Sequence, residues 1–213
     1  MKKLLLLLFL IPLISCTEDW TGEKEVTLLQ DRNGIRYEVN SDVGFTGKYV
    51  EYYENGQKRI EEHLKLGKKN GLKTDWYENG QKKFERNFMN GKREGLTTTW
   101  FENGQKKSED NVKDGEIEGL TTEWHENGQK RSEANWKNGK QEGLVTEWHK
   151  NGQKRFEGNW VDGKVDGVVT FWDKEGDVTK TDTYKDGKLV SSNDRLSENI
   201  LDEIIKYITL VTD

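Results

Sequence analysis

From Tyr52 onward the chain alternates short runs, in which apolar or β-branched residues take every second position, with clusters of Asn, Asp and Gly. The pattern returns every 24 residues: Trp76, Trp100, Trp124, Trp148 and Trp172 share one column, with Tyr52 one period upstream. Glycines mark the same interval twice, at Gly56, Gly80, Gly104, Gly128, Gly152 and Gly176 and at Gly47, Gly71, Gly95, Gly119, Gly143 and Gly167. In one unit, Leu96 to Phe101 is β-branched and aromatic, Glu102-Asn103-Gly104-Gln105 turns, and Lys106 to Val112 runs back to Asp114-Gly115. The unit therefore reads strand, turn, strand, turn.

Asn-Gly recurs from Asn55 to Asn151, and because both residues tolerate positive φ it predicts a two-residue type I′ hairpin turn in every unit. Asn90-Gly91, Asp114-Gly115, Asn138-Gly139, Asp162-Gly163 and Asp186-Gly187 close the link to the next hairpin. Side chains two apart share a side of a strand, so Leu96, Thr98 and Trp100 form an apolar face with their counterparts in neighbouring units. Simple alternation adds Phe88, Val112, Trp136, Trp160 and Tyr184 to that face and leaves Glu85-Asn87, Glu109-Asn111 and their equivalents on a solvated one. All glycines are expected in hairpin turns.

A lone hairpin cannot bury such a face, but stacked neighbours cover one another. Two strands per unit at ~4.8 Å each give a strip of roughly 60 Å for six hairpins. After Asn193, Leu196, Ile200, Leu201, Ile204, Ile205 and Ile208 recur at helical spacing. The expected fold is thus all-β, an elongated single-layer sheet of tandem 24-residue hairpins over 26–191, with a C-terminal α-helix over 192–213 that caps the last strand or serves a partner.

Composition adds two constraints. Charged residues make up 34% and hydrophobic ones 31%, which would suggest disorder were it not for the eight tryptophans and the strict repeat. The single proline, Pro12, leaves the array free of anything that interrupts strand pairing. Lys and Arg are interleaved with Glu and Asp, with a formal net charge of −5, so no basic face for nucleic acid is expected.

At the amino end, Lys2 and Lys3 precede an apolar run from Leu4 to Leu13 that is too short to span a bilayer. Cys16, the only cysteine, follows Leu13-Ile14-Ser15, which resembles the bacterial lipobox. That resemblance implies cleavage of a 1–15 signal, diacylation of Cys16, a 16–25 tether and a membrane-anchored lipoprotein of the bacterial envelope. The outer membrane is favoured if the source is Gram-negative, since Thr17-Glu18-Asp19 lacks an aspartate directly after the cysteine.

The units Tyr52-Tyr53-Glu54-Asn55-Gly56-Gln57-Lys58 and Trp148-His149-Lys150-Asn151-Gly152-Gln153-Lys154 resemble the bacterial variant of the MORN repeat. Arg32-Asn33-Gly34-Ile35-Arg36-Tyr37-Glu38-Val39-Asn40, followed by Phe45-Thr46-Gly47, is similar to the leading unit of YwqK-type antitoxins. The resemblance implies a scaffold that binds a protein partner or a membrane, or an antitoxin that neutralises a cognate toxin by direct binding. It implies no active site.

Individual residues point the same way. His125 and His149 share the column of Tyr53, Tyr77 and Phe101, directly after the core aromatic, and repeat drift accounts for them without metal or acid–base chemistry. His63 lies among charges on a return strand. Neither a nucleophile motif nor a phosphate-cradling loop stands out, and turns such as Asp162-Gly163 lack the dense oxygen ligands of a calcium loop. By alternation Tyr53, Tyr77, Phe101, His125 and His149 face away from the tryptophans. They form either a packing ladder or a docking stripe for a glycan or an unidentified protein, a toxin being one such partner. The expectation is a binding protein without catalysis, cofactor or metal, with a structural spacer for the C-terminal segment as the remaining alternative.

Overall fold

The computed structural model describes residues 23–194. Its strands are β1 (Glu25–Val26), β2 (Gln30–Arg32), β3 (Ile35–Tyr37), β4 (Gly47–Tyr52), β5 (Lys58–Lys65) and β6 (Lys68–Trp76). Then follow β7 (Lys82–Met89), β8 (Lys92–Trp100), β9 (Lys106–Lys113), β10 (Glu116–Ile117), β11 (Gly119–Trp124) and β12 (Lys130–Lys137). The rest are β13 (Lys140–Trp148), β14 (Lys154–Val161), β15 (Lys164–Val165), β16 (Gly167–Trp172), β17 (Val178–Lys185) and β18 (Lys188–Asp194). From β5 to β18 each strand pairs antiparallel with the long strand before it, β11 with β9 and β16 with β14, so space follows sequence, as hairpins joined by tight links require. The short pieces β10 and β15 pair with β9 and β14 at the start of the following strand.

The amino-terminal edge is closed. β1 pairs in parallel with β4, and the separate β2–β3 hairpin is stitched to the first link through Arg36 N to Gly67 O (3.0 Å) and Gly67 N to Phe45 O (2.7 Å). Arg36 pairs with Glu62, which is 1% exposed, and Lys69 approaches the same carboxylate at 3.3 Å. Two cations are what allow a carboxylate to remain there.

Two kinds of turn alternate. It is the links that take the type I′ form: Asn90, Asp114, Asn138, Asp162 and Asp186 all have φ near 50° and precede a positive-φ glycine. The turns within each unit do not. Asn55 and its counterparts keep negative φ, Tyr53 N bonds to Gln57 O, and Gly56 N bonds back to Tyr53 O. These are three-residue loops, a type I turn followed by a left-handed glycine, which leave a bulge in the returning strand. The bulge is visible as a register shift: Thr99 opposes Ser108, but Trp100 opposes Lys106.

Past the bulge the pairing is the one a two-residue turn at Asn103-Gly104 would also give, and directly opposed residues share a face, so alternation counted straight through the turn assigns the return strands to the wrong side. Val112 lies opposite Gly95, Phe88 opposite Gly71, Trp136 opposite Gly119, Trp160 opposite Gly143 and Tyr184 opposite Gly167, all on the face away from the tryptophan column. Glu109 and Asn111 instead oppose Thr98 and Leu96, on the tryptophan face. The second glycine column is likewise not in turns. Gly95 lies inside β8 at φ +84°, at a register shift against β7.

Burial follows from having one layer. Thr74, Thr98, Thr122 and Thr146 are buried between their larger neighbours, while Leu72, Leu96, Leu120, Leu144 and Val168 stand 37–59% exposed. The leucines are therefore not core. On the other face Val112, Val145 and Val169 are buried, and Phe156 packs against Trp160 and Phe171 at 5.6 and 5.4 Å between ring centroids.

The described residues contain no helix, and Ser192, Asn193 and Asp194, where a C-terminal α-helix was expected to begin, belong to strand β18. The expectation fails there because the 24-residue period carries the pairing with β17 through to Lys180 and Asp194. Residues 195–213, like residues 1–15, where a signal was expected, and Cys16, lie outside the described residues.

A candidate binding site on the turn edge

The long sides of the strip are made of the two kinds of turn, and each is bound to the next by side chains. On the side of the three-residue loops, Asn55, Asn79, Asn103, Asn127 and Asn151 each donate through Nδ2 to a backbone carbonyl 23 residues on, at 2.6–3.1 Å. Their Oδ1 atoms accept from the glutamine amide of their own loop, as Asn103 does from Gln105 N at 3.0 Å. Each such glutamine lies over the glycine of the next loop: a Cβ at Gly104 would stand 2.7 Å from Gln81 Oε1. Glycine is thus demanded there by φ, while a Cβ would displace only the end of the glutamine side chain. On the link side, the carboxylates of Glu94, Glu118, Glu142 and Asp166 accept from the amides of Asp114, Asn138, Asp162 and Asp186. The bulge at Gly95 interrupts the β7–β8 ladder beside Glu94. These ladders were not anticipated, although their signal, polar residues recurring in the turns every 24 positions, is as plain as that of the tryptophans.

The ring column belongs to the loop edge. Tyr53 and Tyr77 donate their hydroxyls to the carbonyls of Trp76 and Trp100 at 2.8 and 2.9 Å. His125 and His149 place Nε2 at 2.9 and 3.0 Å from the carbonyls of Trp148 and Trp172, which fixes that nitrogen as the protonated one. Phe101 has no group to make this bond. All five rings are half-buried, in the same column, and four of them bridge to the following repeat. Burial holds the Tyr77 hydroxyl above its ordinary pKa, with the Glu102 carboxylate adding to the effect.

Two recesses open beside this column. One, of about 310 Å³, is lined by Phe101, Lys107, Glu123, His125, Arg131 and Lys150 among others. The next, of about 490 Å³, is lined by His125, His149, Arg131, Arg155, Lys150 and Lys174, with Glu147 and Trp148. Arg131 reaches Glu123 at 3.3 Å and Arg155 reaches Glu147 at 3.1 Å. Tyr53 and Tyr77 line neither of these recesses.

On the tryptophan face, Lys58, Lys82, Lys106, Lys130 and Lys154 lie over the tryptophan rings of the next repeat at 5.6–5.9 Å and pair with Glu61, Glu85, Glu109, Glu133 and Glu157. His63 Nδ1 sits 3.1 Å from Glu23.

The MORN repeat variant family matches five successive stretches, residues 45–65, 69–90, 93–114, 117–138 and 141–162, together just over half of the chain. No curated protein matches it.

Proposed function

We propose, from the premise that this chain belongs to the MORN repeat variant family, that it is a non-catalytic scaffold whose loop edge binds a protein partner. The observation that carries this reading is the row of recesses beside the ring column. Ladders on both edges hold successive repeats in register, so these recesses keep fixed positions about 10 Å apart. A surface fixed in this way binds without first having to order itself. Cys16 and the apolar run before it favour an envelope lipoprotein that presents the strip at a membrane.

The experiment has two parts. Metabolic labelling with radioactive palmitate should mark the full chain and fail to mark the Cys16→Ser variant. Affinity capture from the envelope fraction should retrieve one defined protein with the full chain, and the purified pair should bind in solution. Absence of label removes the anchor; absence of any reproducible partner removes the binding role. If that partner proves to be a toxin whose activity the chain blocks, the antitoxin reading replaces the general one.

A further inference from the structure

The columns of the loop edge do not keep their charge. The residue after the ring is Glu54, Glu78, Glu102 and Glu126 in the first four repeats, becomes Lys150 in the fifth, and is Lys174 in the sixth, where Asp173 stands in place of the ring. In the adjoining column Arg59, Lys83, Lys107, Arg131 and Arg155 are basic through the fifth repeat, and the sixth has Thr179. Glutamate against a cation balances the edge in the early repeats; Lys150 with Arg155, followed by Lys174 with Thr179, does not. The change coincides with the second recess, where Arg131, Arg155, Lys150 and Lys174 face one lining carboxylate, Glu147, on a chain whose formal net charge is −5. Lys150 and Lys174 have no carboxylate partner among the described residues. Asp173, the nearest acid of the sixth loop, accepts from the amides of Glu175 and Asp177 in its own turn.

Resting on the binding role above, we infer that this recess takes an acidic segment of the partner, with two or three Asp or Glu carboxylates laid along the edge from Arg131 to Lys174. Guanidinium groups suit carboxylates geometrically, and the two unpaired lysines supply charge that the ion pairs within the edge do not consume. A lipid surface fits less well. Interfacial binding combines cations with apolar groups on one side, whereas the exposed Leu120, Leu144 and Val168 stand on the opposite face. An extended polyanion would run onto Glu123 and Glu126 at one end and Glu175 at the other.

The test uses the full chain and a fluorescein-labelled hexaglutamate peptide, read by anisotropy. The variant Lys150→Glu with Lys174→Glu places at both positions the residue that four earlier loops already carry, so the turns tolerate it. The expected result is saturable binding by the wild type, about tenfold weaker in the double variant, reduced by raising salt and absent for hexalysine. No binding by the wild type, or equal binding by the variant, overturns the inference. Vesicles of phosphatidylglycerol bound more tightly than the peptide, with the same loss in the variant, overturn it in favour of a lipid surface. Capture of the natural partner separates the two readings: a partner held equally by wild type and double variant leaves the binding role intact and refutes only the acidic segment.

Discussion

On the tryptophan face Trp100, Lys106, Thr98 and Glu109 recur with unchanged identity one repeat up and one repeat down, as Trp76, Lys82, Thr74, Glu85 and Trp124, Lys130, Thr122, Glu133. On the other side of the same strands, the central cross-strand pairs run Tyr49–Glu62, Lys73–Arg86, Thr97–Asp110, Thr121–Ala134, Val145–Gly158 and Val169–Asp182. No two are alike. The regular face is a contact that each unit makes with the next, so its residues are tied to the period. The varied face packs locally, each pair fitted to its own neighbours, and Trp136 illustrates this by donating Nε1–H to Thr121 Oγ1 at 2.9 Å. Regularity therefore marks the frame, and departure from it marks what is particular to a place in the strip.

Copying a residue between repeats should break the varied face and spare the regular one. Gly158→Arg, which repeats Arg86 of the same column, forces a Cβ to 2.9 Å from Val169 Cγ2 and 3.0 Å from Trp160 Cζ3, and should cost about 3 kcal/mol in urea denaturation. Val168→Leu, which repeats Leu144, should change stability by no more than about 0.5 kcal/mol. Equal effects would dissolve the distinction.

The ladders should respond more mildly and evenly. Asn103→Ala removes the bond to the Glu126 carbonyl and the acceptor for Gln105 N, for a loss of about 1 to 2 kcal/mol, with a similar value at Asn79. Phe101→Tyr supplies the hydroxyl that the ring column lacks only there, and should raise stability by about 0.5 to 1 kcal/mol. Lys106→Met, which loses an exposed contact over the Trp124 ring and an ion pair with Glu109, should cost below about 1 kcal/mol.

A last contrast is in pH. The Asp182 carboxyl is held below its ordinary value by hydrogen bonds from Lys180 and Ser192, so its contribution is present above the unfolded pKa and is lost as pH falls through the lower folded one. Asp110 is raised by burial, which outweighs Arg93 and Arg86, so its ionisation costs stability as pH rises from the unfolded value through the folded one. Urea midpoints between pH 2 and 6 should therefore show Asp182→Asn losing the most relative to the wild type at the upper end, and Asp110→Asn gaining there.

Much of this fold is legible in the chain, because a strict period with turn residues at fixed places leaves few arrangements. Trp76 to Trp172, the links at Asn90 and Asp114 and the position of Tyr53, Tyr77, Phe101, His125 and His149 away from the tryptophans all follow from spacing. What escapes a count of alternation along the chain is the turn at Gly104, after which the parity of inward and outward positions changes. Opposed residues share a face, so Val112 goes with Gly95, away from the tryptophans, and the type of turn alone rests on whether Asn103 adopts positive φ or gives its side chain to the next repeat. The exposed leucines escape for another reason: alternation says which side a residue faces, not whether anything lies above it. The charge reversal at Lys150 was in the sequence, but gained meaning only when the recess put it beside Arg131 and Arg155.

The most direct measurement removes one whole repeat at a time, Lys92–Gly115 or Lys140–Gly163, and follows the β-sheet circular dichroism and hexaglutamate binding of each product. Both cuts join one link turn to the next strand start. If the repeats share a frame but not a binding role, both shortened chains stay folded, the first still binds the peptide and the second does not. Loss of binding in both, or its survival in both, would contradict the separation of frame from site.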